Sequence, residues 1–164
     1  QVLALEADVF ADQSPWSAET WWEELAGVPE RRTYLVAEHR GAAVGYAGVA
    51  WTAPSADIMT VAVASGSRRH GHGRALVHAL LADAQRRDVT EVFLEVKADN
   101  QAGLALYSGD GFERISRRRD YYGPGVLGSA LGEMVFGNLA AFATSGSLKA
   151  PTVPACNDSG IPQP

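Results

Sequence analysis

Apolar positions recur along this chain at two spacings, and the switches between them mark its elements. Leu3, Ala7 and Phe10 fall at helical spacing and predict a short amphipathic helix over residues 2–11. The segment Asp12, Gln13, Ser14, Pro15 breaks it. Ser17 is a good N-cap, Glu19 lies in the following turn and Gly27 stands at the far end, so residues 18–26 read as a second helix. Residues 33–38 and 43–51 read as strands joined by His39, Arg40, Gly41 and Ala42, a tight hairpin in which glycine supplies positive φ. Pro54 ends the second strand and residues 57–64 form a third, which completes an antiparallel meander.

A glycine-bearing turn then leads into a helix that buries Leu76, Val77, Leu80, Leu81 and Ala84, with Arg86 and Arg87 favourably placed at its C-terminal end. The chain returns as a strand over residues 91–96, where Val92, Leu94 and Val96 point one way and Glu91, Phe93 and Glu95 the other. Strand, helix and strand make a βαβ unit with a right-handed crossover. Ligands in such units bind beyond the carboxyl ends of the strands, where both the glycine turn and Glu95 lie. Asn100 can cap a short helix over residues 101–108, Gly109, Asp110 and Gly111 end it, and residues 112–119 read as a further strand. The fold class is therefore α/β with a mixed α+β sheet: an antiparallel meander leading into a βαβ unit, with helices on both faces.

Five of the eight prolines lie from Pro124 onward, so residues 145–164 are expected to have little fixed structure and residues 1–144 to form one domain. With 46% hydrophobic and 20% charged residues the composition is that of an ordinary globular domain. A net charge of -5 argues against broad nucleic-acid binding and is compatible with a basic peptide partner. The single cysteine, Cys156, cannot form an internal disulfide, which fits a reducing cytoplasm. Residues 1–10 lack the basic start of a signal peptide, and the chain opens without methionine, directly in a helical pattern. The apolar stretch 126–143 approaches the length of a membrane span, but four glycines, Glu133 and Asn138 weaken it, and no membrane association is expected.

The turn itself runs Arg68, Arg69, His70, Gly71, His72, Gly73, Arg74. A turn between a strand and a helix leaves backbone N–H groups unpaired at the positive end of the helix dipole, and arginines add charge. That makes an anion seat suited to phosphates. A dinucleotide-binding fingerprint fails because Leu76 stands where the third glycine is required, and a P-loop fails because Gly73 is followed by Arg74 and Ala75. A plain surface turn with two useful glycines is the alternative. His70 and His72 sit two residues apart on a loop without nearby cysteine or paired acid, which argues against a metal site.

The spacing R-x-x-G-x-G at Arg68, Gly71 and Gly73 resembles the acetyl-CoA pyrophosphate loop of the GNAT superfamily of N-acetyltransferases. The run Leu94, Glu95, Val96, Lys97, Ala98, Asp99, Asn100, followed by Ala105, Leu106, Tyr107 and Gly111, Phe112, is similar to the signature of RimI-type protein N-terminal acetyltransferases. Ser14, Pro15, Trp16, Ser17 resembles their P-W-S segment, and Arg118, Arg119, Asp120, Tyr121, Tyr122 their R-R-x-Y-Y. The resemblance runs from about Leu3 to Tyr122 and implies a GNAT fold. It implies transfer of acetyl from acetyl-CoA, without a metal, to the α-amine of an N-terminal alanine on a small-subunit ribosomal protein. Direct transfer in a ternary complex is implied as well.

The same resemblance assigns roles. Glu95 corresponds to the family's base and Tyr107 to the acid for the departing sulfur. Val61 and Val63 would bind the pantetheine arm through their backbone, residues 68–74 (Arg68, Arg69, His70, Gly71, His72, Gly73, Arg74) the pyrophosphate, and Asn100 the cofactor near the thioester. Trp16, Tyr121 and Tyr122 would border the acceptor peptide. Read from the residues alone, the alternatives are a solvated or ion-paired carboxylate for Glu95, an amphipathic helix-end tyrosine for Tyr107, and core aromatics for Trp16, Trp21 and Trp22. Glu23 and Glu24 read as a solvated helix face that is able to attract a basic peptide.

Two departures from the family stand out. The family's first strand is missing ahead of the first helix, which leaves the sheet edge near Tyr34 unpaired. The closing strand has its nearest match at Leu131, Gly132, Glu133, Met134, Val135, Phe136, and the sequence beyond it matches nothing in the family. Competing readings are a GNAT enzyme for a small amine or lysine, and a catalytically silent acetyl-CoA-binding module.

Overall fold

The computed structural model describes residues 1–12, 14–118 and 133–138. Among the described residues, four α-helices accompany a six-stranded sheet: α1 Val2–Val9, α2 Ala18–Leu25, β1 Arg32–His39, β2 Ala42–Thr52, β3 Ser55–Val63, α3 His72–Arg86, β4 Glu91–Lys97, α4 Gln101–Gly109, β5 Glu113–Arg118 and β6 Glu133–Asn138. The sheet order is β1-β2-β3-β4-β6-β5. Among the described strands β3 and β4 pair in parallel, and the other neighbours are antiparallel. The meander, the βαβ crossover and helices on both faces are thus present as read. Residues 119–132 and 139–164, which include Arg119, Tyr121, Tyr122 and the expected unstructured tail, lie outside the described residues.

The closing strand, in doubt from sequence, is β6. It inserts between β4 and β5, pairing Leu94 with Phe136 on one side and Arg114 with Phe136 on the other. At the opposite end of the sheet β1 has β2 as its one strand neighbour, so the edge at Tyr34 is open among the described residues. The β1–β2 hairpin turns on Arg40 and Gly41, both at positive φ, the arrangement a two-residue hairpin requires.

Two apolar clusters face away from each other across the meander. One unites the expected stripe of α3 with Ala47, Val49, Ala56 and Ile58, and with Val92, Leu94 and Val96 of β4. Leu104, Leu106, Tyr107 and Phe112 bring α4 onto it. Burial of each larger α3 side chain contributes about 1.5–3 kcal/mol. The other cluster joins Leu5, Trp21, Tyr46 and Ala62, with Trp16, Tyr34 and Ala64 packed against it.

The stripe of α1 differs from the sequence reading. Leu3 is 48% exposed and Ala7 is exposed, whereas Val2, Leu5, Glu6 and Val9 turn inward. The true stripe contains a carboxylate, so a hydrophobicity pattern points to the wrong face. Glu6 is buried because it accepts the Trp16 backbone N–H at 2.9 Å, which fixes the chain where it breaks between α1 and α2. Burial raises its carboxyl above the usual carboxylate range.

Glu24 also departs from expectation. Rather than facing solvent, it accepts from the Tyr34 hydroxyl and pairs with Arg32, tying α2 to β1. Burial, then the hydrogen bond to Glu24, raises the Tyr34 hydroxyl above its ordinary value. The Tyr34 ring crosses Gly48 on the neighbouring strand, where a Cβ would lie 2.2 Å from Cε1.

Candidate active site

Several of the described candidate residues lie on elements that border a fork in the sheet. β3 and β4 pair from Ser55 opposite Glu91 to Ile58 opposite Leu94 and no further. Beyond that pair, Met59 is an extra residue on β3: Gly48 opposes Thr60 while Val49 opposes Ile58. A single-residue bulge reverses the facing of everything after it. Ala56 and Ile58 therefore pack with α3, whereas after the bulge Val61 faces α3 and Ala62 faces α1.

The bulge also settles where the backbone of β3 points. Ala64 donates its N–H to the Val44 carbonyl at 2.9 Å, so Ala62 and Ala64 address β2. By alternation, Val61 and Val63 direct their peptide groups into the gap left by β4. The Val63 carbonyl there accepts from Arg68 Nε at 3.2 Å. The bulge that sets the facing of Val61 and Val63 is not legible in the sequence, because an extra strand residue carries no compositional mark.

The anion turn closes the same end. After a 3-10 turn at Ser65–Ser67, positive φ at Arg69 and at Gly71 coils the chain tightly into α3. Gly71 is the N-cap, with no side chain bonded to the helix start. The leading backbone bond of α3 runs from Ala75 N–H to the Gly71 carbonyl at 2.9 Å. The amides of His72, Gly73 and Arg74 therefore have no intrahelical acceptor and present the positive end of the dipole. A Cβ on Gly73 would stand 3.6 Å from Leu106 and 3.7 Å from Val63, so this residue brings the turn between β3 and α4.

His70 is exposed and bonds the Arg68 carbonyl through Nδ1 at 2.8 Å, while His72, half-buried, begins α3. His39 from the β1–β2 hairpin approaches His72 with ring centroids 6.3 Å apart, a neighbour that no local pattern announces. Among the described residues no group of three or more His, Cys, Asp or Glu is placed to hold a metal.

Glu95 immediately follows the last β3–β4 pair and lies on the exposed side of β4, between buried Leu94 and Val96. Tyr107 is buried on α4, edge-on to Phe112 at 5.9 Å, and burial pushes its hydroxyl up to about 12. Asn100 caps α4 by accepting the Gly103 N–H at 2.9 Å, which occupies its amide oxygen and leaves the amide N–H groups for other partners.

Trp16 is half-buried against the α1–α2 cluster, edge-on to Trp21 at 5.3 Å. It shares that cluster with Ala62 and Ala64, which alternate along β3 with Val61 and Val63. Trp21, 7% exposed, is a core residue, as the residues alone suggest. The arrangement offers an anion seat, strand backbone at Val61 and Val63 directed away from β2, a carboxylate at the fork and a neutral phenol on α4. A phosphate-bearing thioester fits that set. No helix among the described residues is long and apolar enough to cross a membrane.

Comparison with known proteins agrees. The profile of the Acetyltransferase (GNAT) family matches residues 2–112. N-alpha-acetyltransferase RimI of Mycobacterium tuberculosis is 39% identical over 122 residues, covering 72% of this chain and 74% of that protein. The ribosomal protein bS18-alanine N-acetyltransferase of Escherichia coli is 32% identical over 108 residues, covering 66% and 71%. The crystal structure of the ribosomal-protein-S18-alanine N-acetyltransferase from Escherichia coli matches with a TM-score of 0.72 at 27% identity, covering 84% of each chain. The NatC complex bound to Gag peptide and CoA matches with a TM-score of 0.67 at 26% identity, covering 83% of this chain and 88% of that one. This chain belongs to the GNAT family and is an acetyl-CoA-dependent N-acetyltransferase.

Proposed function

We propose that this protein acetylates the α-amine of an N-terminal alanine on a small-subunit ribosomal protein, with donor and acceptor bound together at transfer. The likeness to RimI-type enzymes over about two thirds of the chain supports the acceptor class. The fork that sets Glu95 beyond Ile58 and Leu94 supports the chemistry. A ribosomal acceptor implies a cytoplasmic reaction.

The acceptor amine arrives mostly as ammonium at neutral pH and must lose a proton before it attacks. Glu95 takes that proton, directly or through water. Bound acetyl-CoA supplies the thioester carbonyl. The backbone of Val61 and Val63 holds the pantetheine arm as an added strand is held at a sheet edge. The amides and side chains of Arg68, Arg69, His70, Gly71, His72, Gly73 and Arg74 hold the pyrophosphate, and the Asn100 side chain meets the cofactor near the thioester. Tyr107 keeps its proton throughout the working range and donates it to the departing sulfur. Trp16, Tyr121 and Tyr122 bind the acceptor peptide.

Thiol release from acetyl-CoA, measured with short peptides beginning in alanine, serine and methionine and with free lysine and a polyamine, tests this reading. Turnover confined to the N-terminal peptides, alanine foremost, is expected. Turnover only on lysine or the polyamine would reassign the protein to small-amine acetylation. Stabilisation by acetyl-CoA without turnover on any acceptor would make it a silent binding module.

A further inference from the structure

Asp110 takes no part in the site as derived so far, yet it touches both of its helices. It is the C-cap of α4, three positions after Tyr107, and its backbone N–H donates to the Leu106 and Tyr107 carbonyls at 3.1 Å each. Its side chain, 5% exposed, reaches across to α3, where Oδ1 lies 2.9 Å from Arg74 Nε and 3.3 Å from His78 Nε2. Those partners are four residues apart, on adjacent turns of one helix face. Arg74 belongs to the opening turn of α3, whose amides form the anion seat. Its guanidinium also lies over the end of α4: a Cβ on Gly109 would stand 3.1 Å from Arg74 Nη2. The negative end of the α4 dipole favours a cation there.

We propose that Asp110 is a positioning residue for acetyl-CoA, clamping the Arg74 guanidinium and with it the phosphate-binding turn to the helix that carries Tyr107. This rests on the reading that residues 68–74 hold the pyrophosphate. An arginine has five donors in a rigid fork, so an acceptor on Nε orients the plane and leaves the Nη groups able to meet phosphate oxygens. The Arg74 side chain remains 54% exposed, consistent with that second use.

Charge and position predict opposite signs. As a negative charge beside an anion seat, Asp110 opposes the phosphates, so its neutralisation would tighten binding if charge were its whole effect. As a clamp, its loss frees the guanidinium to explore many rotamers, and binding weakens.

Calorimetric titration of the full chain with CoA reads the sign directly, with no acceptor needed. Asp110→Asn is expected to weaken binding about tenfold, Arg74→Gln by a similar factor, and the double variant no more than the worse single one. With the acetyl thioester of N-acetylcysteamine, which carries no phosphate, the ratio of Asp110→Asn to wild-type turnover should return to about one. Should Asp110→Asn fail to fold, Arg74→Lys at the exposed partner takes its place. It keeps the charge, loses the fork and is expected to match Arg74→Gln. Unchanged or tighter CoA binding by Asp110→Asn, additive losses in the double variant, or full affinity in Arg74→Lys would overturn the clamp alone. No CoA binding by the wild type would overturn the phosphate-turn reading itself, and the clamp with it.

Discussion

Ile58 and Leu94 form the last pair between β3 and β4; past it Met59 bulges from one strand while Glu95 continues the other. Glu95 therefore stands where the gap opens, on the exposed side of a strand whose buried side is fixed by Val92, Leu94 and Val96. As a general base it is expected to contribute about 10²–10⁴-fold to turnover. Glu95→Gln should lower kcat by that factor while CoA affinity, measured by calorimetry, stays within about twofold. An equal loss in CoA affinity would mark the residue as a binding or structural group.

Tyr107 offers a prediction in pH. Its hydroxyl lies at about 12 in the fold against 10.0 ordinarily, because burial disfavours the phenolate. A group raised on folding stabilises the fold below its unfolded value and loses that contribution as pH rises through its folded one. That contribution, on the order of a few kcal/mol, is lost between about pH 10 and about pH 12. Denaturant titrations across that window should show the decline in wild type and a shallower one in Tyr107→Phe. The same variant should lose kcat about 10²-fold.

Glu6 is expected to cost stability at neutral pH. Its carboxyl is raised by burial, so the fold prefers it protonated, and that preference is satisfied only in acid. Glutamine keeps an oxygen for the Trp16 N–H and carries no charge. Glu6→Gln should raise Tm at pH 7 and give little or no gain at pH 4. A Tm lowered at both values would show that the carboxylate makes interactions an amide cannot replace.

Gly48 is required by Tyr34. A methyl group there would overlap the ring, and the ring cannot retreat easily while its hydroxyl donates to Glu24. Gly48→Ala should destabilise by about 1–3 kcal/mol in chemical denaturation. The loss should shrink when Tyr34 is replaced by alanine in the same chain.

Much of this architecture is legible in the residues because it is periodic. The stripe from Leu76 to Ala84 and the alternation from Val92 to Val96 declare α3 and β4, and the caps at Ser17 and Asn100 declare where α2 and α4 begin. The glycine-bearing turn ahead of α3 is readable too, since its glycines and arginines are local. What escapes is long-range or aperiodic. The Met59 bulge adds one residue without altering composition, and the insertion of β6 between β4 and β5 depends on pairing partners far apart in the chain. Glu6 hides the inward face of α1 because a buried carboxylate contradicts the pattern used to find buried faces. Asp110 sits in a stretch that reads only as a helix stop, and its partners Arg74 and His78 belong to another helix.

The central claim is that the fork serves an N-terminal amine. The most direct test is to incubate the protein with acetyl-CoA and a peptide bearing both an N-terminal alanine and an internal lysine, then locate the acetyl group by tandem mass spectrometry. Acetylation at the alanine α-amine, with the lysine untouched, is predicted. Acetyl on the lysine, or on neither amine while acetyl-CoA is bound, would contradict it.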